Sequence, residues 1–217
     1  MITRLLRCAA AACAAGLLSI TPVIAQDVAP DALVRQSIDE TLSLIRANRD
    51  LQGGNPARLF DLVEAKVLPH FDFARMTRLA VGRSWSQASD AQKAALTREF
   101  QTLLVRTYST SLSQYRNQTV EVKPTKVAPK DDDVTVKVVV SQPGGQPIPI
   151  DFGMGRSAGT WKVYDVLVDG VSLVTTYRSS FNDQIQKGGI DGLIKTLSDR
   201  NRASEASRGA VKAEPKK

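Results

Sequence analysis

The hydrophobic period of this chain changes between Tyr115 and Val120, and changes back near Ser172. Upstream, apolar residues recur every three or four positions; downstream they alternate, and the two periods belong to different secondary structures. Asp31 to Asn48 places Leu33, Val34, Ile38, Leu42 and Ile45 on one helical face. Asn55-Pro56 supplies an N-cap and a proline at the first helical position, where its missing N–H is harmless. The helix it opens carries Leu59, Phe60, Val63 and Val67, and Pro69 ends it. Asp72 caps a short segment through Phe73, Met76 and Leu79 to a stop at Gly82. Ser89-Asp90-Ala91-Gln92 is a capping box. It opens a helix of about 25 residues, long for a globular domain, with Leu96, Phe100, Leu103, Leu104, Thr107, Tyr108, Leu112 and Tyr115 at helical spacing.

Beyond the switch, Val120 and Val122 alternate with Glu121 and Lys123, and Val134, Val136, Val138 and Val140 share one face. Pro143-Gly144-Gly145 marks a turn, after which Ile148, Ile150, Phe152 and Met154 share a face. Trp161 to Val168 reads as a further strand whose inward side is ambiguous, because Val166, Leu167 and Val168 run together. Short connections make the sheet antiparallel. Ser172 caps a last helix with Leu173, Tyr177, Phe181 and Ile185 in line, closed by Gly188-Gly189 and followed by a short helix around Ile190 to Leu197. The expected class is α+β: N-terminal helices wrapping a twisted antiparallel sheet of about four strands, with closing C-terminal helices. Such an arrangement makes a cone whose interior is either packed or hollow.

Residues 1–25 read as a secretory signal, with Arg4 and Arg7 ahead of an apolar run from Ala9 to Ile20 and cleavage expected after Ala25. The run is about a dozen residues, short of the roughly 20 that a membrane span needs. Cleavage removes Cys8 and Cys13, the chain's two cysteines. The formal charge of +7 shrinks on inspection. The tail, 200–217, holds six basic and two acidic residues and reads as disordered, leaving 21 basic and 20 acidic groups in a single domain over 26–199. A nearly neutral domain excludes nucleic acid as the partner, because phosphate backbones require a dense basic surface.

Catalytic chemistry is sparse. His70 is the lone histidine and builds neither a zinc site nor a triad. Gly170-Val171-Ser172 begins like a nucleophile elbow, but Val174 stands where the second glycine belongs. Gly153-Met154-Gly155 is no dinucleotide fingerprint, and Asp131-Asp132-Asp133 lacks the spaced ligands of a calcium loop. One enzymatic alternative remains: a small cone with Asp151 or Asp165 as a buried proton-transfer base.

Several blocks together are specific. Leu68-Pro69-His70-Phe71-Asp72-Phe73, Val81-Gly82-Arg83 with Trp85, and Leu104-Val105-Arg106-Thr107-Tyr108 resemble the MlaC family, the toluene-tolerance auxiliary proteins. Trp161 to Val166, Asp169 to Val174 and Gly188 to Leu193 resemble it in the same order, so the likeness spans 31–199. The resemblance implies a periplasmic, monomeric, non-enzymatic carrier with a glycerophospholipid as cargo and no cofactor. It implies exchange between an outer-membrane lipoprotein–porin complex and an inner-membrane ABC transporter with an MCE-domain ring, which maintains outer-membrane lipid asymmetry. A hopanoid or sterol-like cargo is the alternative within that reading. Phe71, Met76, Leu79, Leu104 and Tyr108 are the candidate helical wall. Val136, Val138, Ile148, Ile150, Phe152, Val171 and Val174 are the candidate sheet wall, with Ile148 and Val171 nearest the mouth. The same residues serve equally well for a packed core, and only the resemblance favours an apolar cavity.

Overall fold

The structure, a computed structural model, describes residues 28–48, 56–113 and 118–213. The signal segment with its expected cleavage after Ala25, the cap at Asn55 and the ring of Tyr115 lie outside the described residues.

Helices start where the sequence either removes an unsatisfied backbone donor with proline or supplies a side-chain partner for it. α1 (Pro30–Ala47) has proline in its first turn and buries Val34, Thr41 and Ile45 along one face. α2 (Pro56–Lys66) also begins at proline and leads through a 3-10 turn (Leu68–His70). In α3 (Phe73–Val81) the Asp72 carboxylate accepts from the Arg75 N–H at 2.8 Å, and Gly82 ends the helix at φ 65°. α4 (Asp90–Ser113) carries the reciprocal cap: Gln92 N–H donates to the Ser89 hydroxyl at 3.2 Å, and Ser89 N–H donates to the Gln92 side chain at 3.0 Å.

The sheet has five antiparallel strands in sequential order: β1 (Thr119–Val122), β2 (Asp133–Ser141), β3 (Ile148–Ser157), β4 (Thr160–Val168) and β5 (Val171–Ser172). The fifth is two residues long, too short to show a period. Register sets the two predicted faces side by side: Val134 opposite Met154, Val136 opposite Phe152, Val138 opposite Ile150 and Val140 opposite Ile148. The ambiguity in β4 has a local cause. The β3–β4 register shifts at Gly153/Met154, which face Asp165 and Val163, so Tyr164 is an extra residue. Such a bulge switches the alternation, and Trp161, Val163 and Val166 are all buried.

α5 (Leu173–Ala213) starts under the Ser172 cap, whose hydroxyl accepts from Thr175 N–H at 3.0 Å. It kinks at Gly189, where φ is 67°, a backbone state that glycine adopts at little cost. The expected disordered tail is corrected here, since the helix continues past 199 to Ala213. Asn201 is 5% exposed, and its side-chain amide donates to the Glu99 carbonyl at 3.0 Å and carboxylate at 2.9 Å. Arg106 donates to the Asn201 carbonyl and pairs with Glu205 at 3.1 Å. Counting charge alone missed these contacts, which fasten the segment to α4.

Two large buried clusters result, beside a small one in which Ile45 of α1 meets Leu59 of α2. One joins α3, α4 and α5 through Met76, Leu96, Phe100, Phe181, Leu193 and Leu197. The other joins α1 to the sheet through Val34, Val122, Val136, Val138, Met154 and Val163.

Candidate functional site

Between α1 and the sheet the second cluster does not close. A cavity of about 490 Å³ lies there, within the size range of small-molecule sites. Its sheet wall is made by Val138, Val140, Ile148, Ile150, Phe152 and Met154, all on the face that alternation turns toward α1. Its helical wall is α1 itself, through Leu33, Val34, Ser37, Ile38, Thr41 and Leu42. Val67, His70 and Phe71 close the side where α2 runs into the 3-10 turn. Gln118 and Gln142 stand at the end where β1 begins and the β2–β3 hairpin turns.

Two polar contacts hold α1 over the sheet. Arg35 donates to the Val122 carbonyl at 2.6 Å, and the Asp31 carboxylate accepts from Thr125 N–H at 3.3 Å. On the other side of the cavity Asp72 N–H donates to the Val163 carbonyl at 2.8 Å, so the 3-10 turn is anchored to β4. Among the described residues no lysine, arginine, aspartate or glutamate lines the cavity. Burial pushes the His70 pKa below its usual 6.5, and the charge of nearby Lys162 adds to that shift while Glu40 opposes it. His70 is therefore neutral at neutral pH.

Five of the twelve residues singled out from sequence meet at this cavity: Phe71, Val138, Ile148, Ile150 and Phe152. Val136 shares their face but is fully buried in the packing beside it. Met76, Leu104 and Val174 lie in the helical cluster. There the apolar line of α4 meets α5, with the Phe100 ring 5.1 Å from Phe181 and 5.2 Å from Tyr177, both edge-on. Leu79 and Tyr108 are 38% and 37% exposed. Val171, expected at the mouth, is 60% exposed on β5 and does not line the cavity. The helical wall is thus α1 rather than α3 and α4. The apolar face of α1 was visible as a period, but a period does not name the surface it meets.

Neither carboxylate of the enzymatic alternative lines the cavity. Asp165 accepts from the Ser172 hydroxyl at 2.6 Å, Val166 N–H at 2.8 Å and Val174 N–H at 3.3 Å, which ties β4 to the start of α5. Asp151 sits opposite Lys137 on the sheet face turned away from α1. Among the described residues no three His, Cys, Asp or Glu are grouped to hold a metal, and no helix is long and apolar enough to cross a membrane.

A family model described as MlaC protein matches residues 35–199, most of the chain. The chain belongs to the MlaC family. Among its relatives is the intermembrane phospholipid transport system binding protein MlaC of Haemophilus influenzae, 26% identical over 181 residues, covering 82% of this chain and 85% of that one. The toluene tolerance protein ttg2D of Pseudomonas putida is 27% identical over 169 residues, covering 77% and 78%. A phospholipid-binding protein from Ralstonia solanacearum, solved in complex with a phospholipid, superposes with a TM-score of 0.76. It is 40% identical and covers 82% of this chain and 99% of its own. The α+β fold with its antiparallel sheet is therefore a fold of MlaC proteins.

Proposed function

We propose that this protein encloses the acyl region of a glycerophospholipid between α1 and the sheet and carries it through an aqueous compartment. The observation that carries the reading is the cavity's lining: two apolar walls, a few neutral polar groups and, among the described residues, no charged side chain. Burying a methylene is worth about 0.8 kcal/mol, so a chain of about 15 carbons resists water by roughly 12 kcal/mol. A carrier must therefore surround the hydrocarbon, while the head group can stay wet. Among the described residues the lining offers a phosphate no cationic partner, which favours a head group at the solvent side. The 40% identical relative solved with a phospholipid supports the same cargo.

The family supports the finer reading. The mature protein, freed of residues 1–25 after Ala25, works as a periplasmic monomer. It exchanges lipid with an outer-membrane lipoprotein–porin complex and an inner-membrane ABC transporter with an MCE-domain ring, which keeps the outer membrane asymmetric. Protein purified without detergent should release phospholipid into organic solvent. Mass spectra of that extract with no lipid, from protein that is folded, would overturn the carrier reading.

A further inference from the structure

Apart from Gln118 and Gln142 at one end, the polar groups of the cavity lie on its helical side. The strand residues that line it are all apolar, whereas the helical side contributes Ser37, Thr41 and His70. Ser37 and Thr41 are four residues apart on α1, hence one above the other on the same face. The Ser37 hydroxyl oxygen is buried and has no hydrogen-bond partner. A buried hydroxyl without a partner is costly, and α1 has ample apolar residues around it, so the position is one where an outside acceptor changes the balance. A trapped water is a poor candidate, because buried waters typically make about three hydrogen bonds and the facing strands supply only hydrocarbon. A phosphate or free carboxylate is equally poor, since no cation among the described residues lines the cavity and an unpaired buried charge is strongly disfavoured. What remains is a neutral acceptor attached to hydrocarbon.

We propose that the Ser37 hydroxyl, with Thr41 one turn along α1, donates to the ester carbonyl that joins an acyl chain to its glycerol. The pair sets how far the chain enters the cavity and makes the protein selective for ester-linked lipid. This rests on the carrier reading above and adds to it the linkage the site reads. Ser37 and Thr41 are specificity-determining residues here, and the apolar walls supply most of the affinity.

The test offers the lipid-depleted protein equal amounts of a diacyl phosphatidylethanolamine and its dialkyl-ether analogue with the same head group and chain lengths. Native mass spectrometry reads the ratio bound. Wild type should prefer the ester lipid by about two- to tenfold, the range for one net hydrogen bond. Ser37→Ala combined with Thr41→Val should bind both lipids equally, and a cooperative thermal melt shows that the variant folds. A free fatty acid such as palmitate, the other source of an acyl-linked oxygen, should compete less well than the ester lipid. Equal binding by wild type, an ester preference that survives in the double variant, or stronger competition by palmitate would each overturn the assignment and leave the carrier reading in place. Failure of wild type to take up either lipid would overturn the carrier reading, and the assignment with it.

Discussion

A pair of substitutions separates cavity from surface. Ile150 sits half-buried in the middle of the sheet wall, between Val138 on β2 and Val168 on β4, and faces α1. Val171 is two strands from Ile150, paired with Val168 on the strand between, but is 60% exposed and outside the cavity. In Ile150→Glu without lipid, the half-buried position lets the carboxylate keep much of its water. Lipid entry removes that water, so the penalty falls on binding rather than on folding. Losing the isoleucine contact removes about 2 kcal/mol. Stripping the polar group without a partner costs at least about 2 kcal/mol more. At 1.4 kcal/mol per decade the loss is near three decades in affinity. Val171→Glu adds a charge to water and should change affinity less than twofold. The assay is retention of phospholipid by each variant against excess vesicles, with thermal melts to show that both fold. Acidification supplies an internal check: protonation removes the charge, so Ile150→Glu should recover lipid between pH 7.5 and 5. Wild-type retention by Ile150→Glu, or equal losses in both variants, would refute the placement of the cavity.

Two further outcomes follow from contacts outside the walls. Deleting residues 200–217 removes the Asn201 and Glu205 partners of Glu99 and Arg106; with about 1–3 kcal/mol lost, the melting temperature should fall by several degrees, whereas a tail without contacts would leave it unchanged. His70 has a lowered pKa, so the unfolded chain takes up its proton first; its contribution is complete above about pH 6.5 and is lost as pH falls below that value toward the folded pKa. The stability difference between wild type and His70→Gln should accordingly shrink on acidification from pH 7.5 to 5, and a pH-independent difference would show that His70 titrates alike in both states.

Local chemistry was legible and partnership was not. Asp72, Ser89 with Gln92, and Ser172 announce helix starts because a cap is a contact among residues three apart, complete within the local sequence. The strand faces were legible for the same reason: Val134 to Val140 and Ile148 to Met154 alternate, and a short turn forces them into one sheet. The bulge at Tyr164 was hidden, since its only trace was three consecutive apolar residues that fit either side. The cavity's helical wall was hidden more deeply. α1, α3 and α4 all present apolar residues at helical spacing, and which of them meets hydrocarbon rather than protein depends on contacts between distant segments. Residues of α4 and α5 pair Phe100 with Phe181, and that solid packing uses up the α4 face.

The separation of the helical cluster from the cavity explains how such a chain keeps its fold beside a wall suited to hydrocarbon. The cavity walls are apolar surfaces that do not pack against one another, so they contribute less than a closed core of the same residues. A chain of about 15 carbons resists water by roughly 12 kcal/mol, and enclosing it covers the walls as well. Stability must then come largely from residues that never touch the cavity. Phe100, Phe181, Leu193 and Leu197 are such residues, all 2% exposed or less in the helical cluster. Phe71 is the side chain that packs against both clusters and lines the cavity as well. Filling and emptying can therefore repack the space under α1 while α3, α4 and α5 hold their shape, with Phe71 the point at which the helical core would sense the cargo.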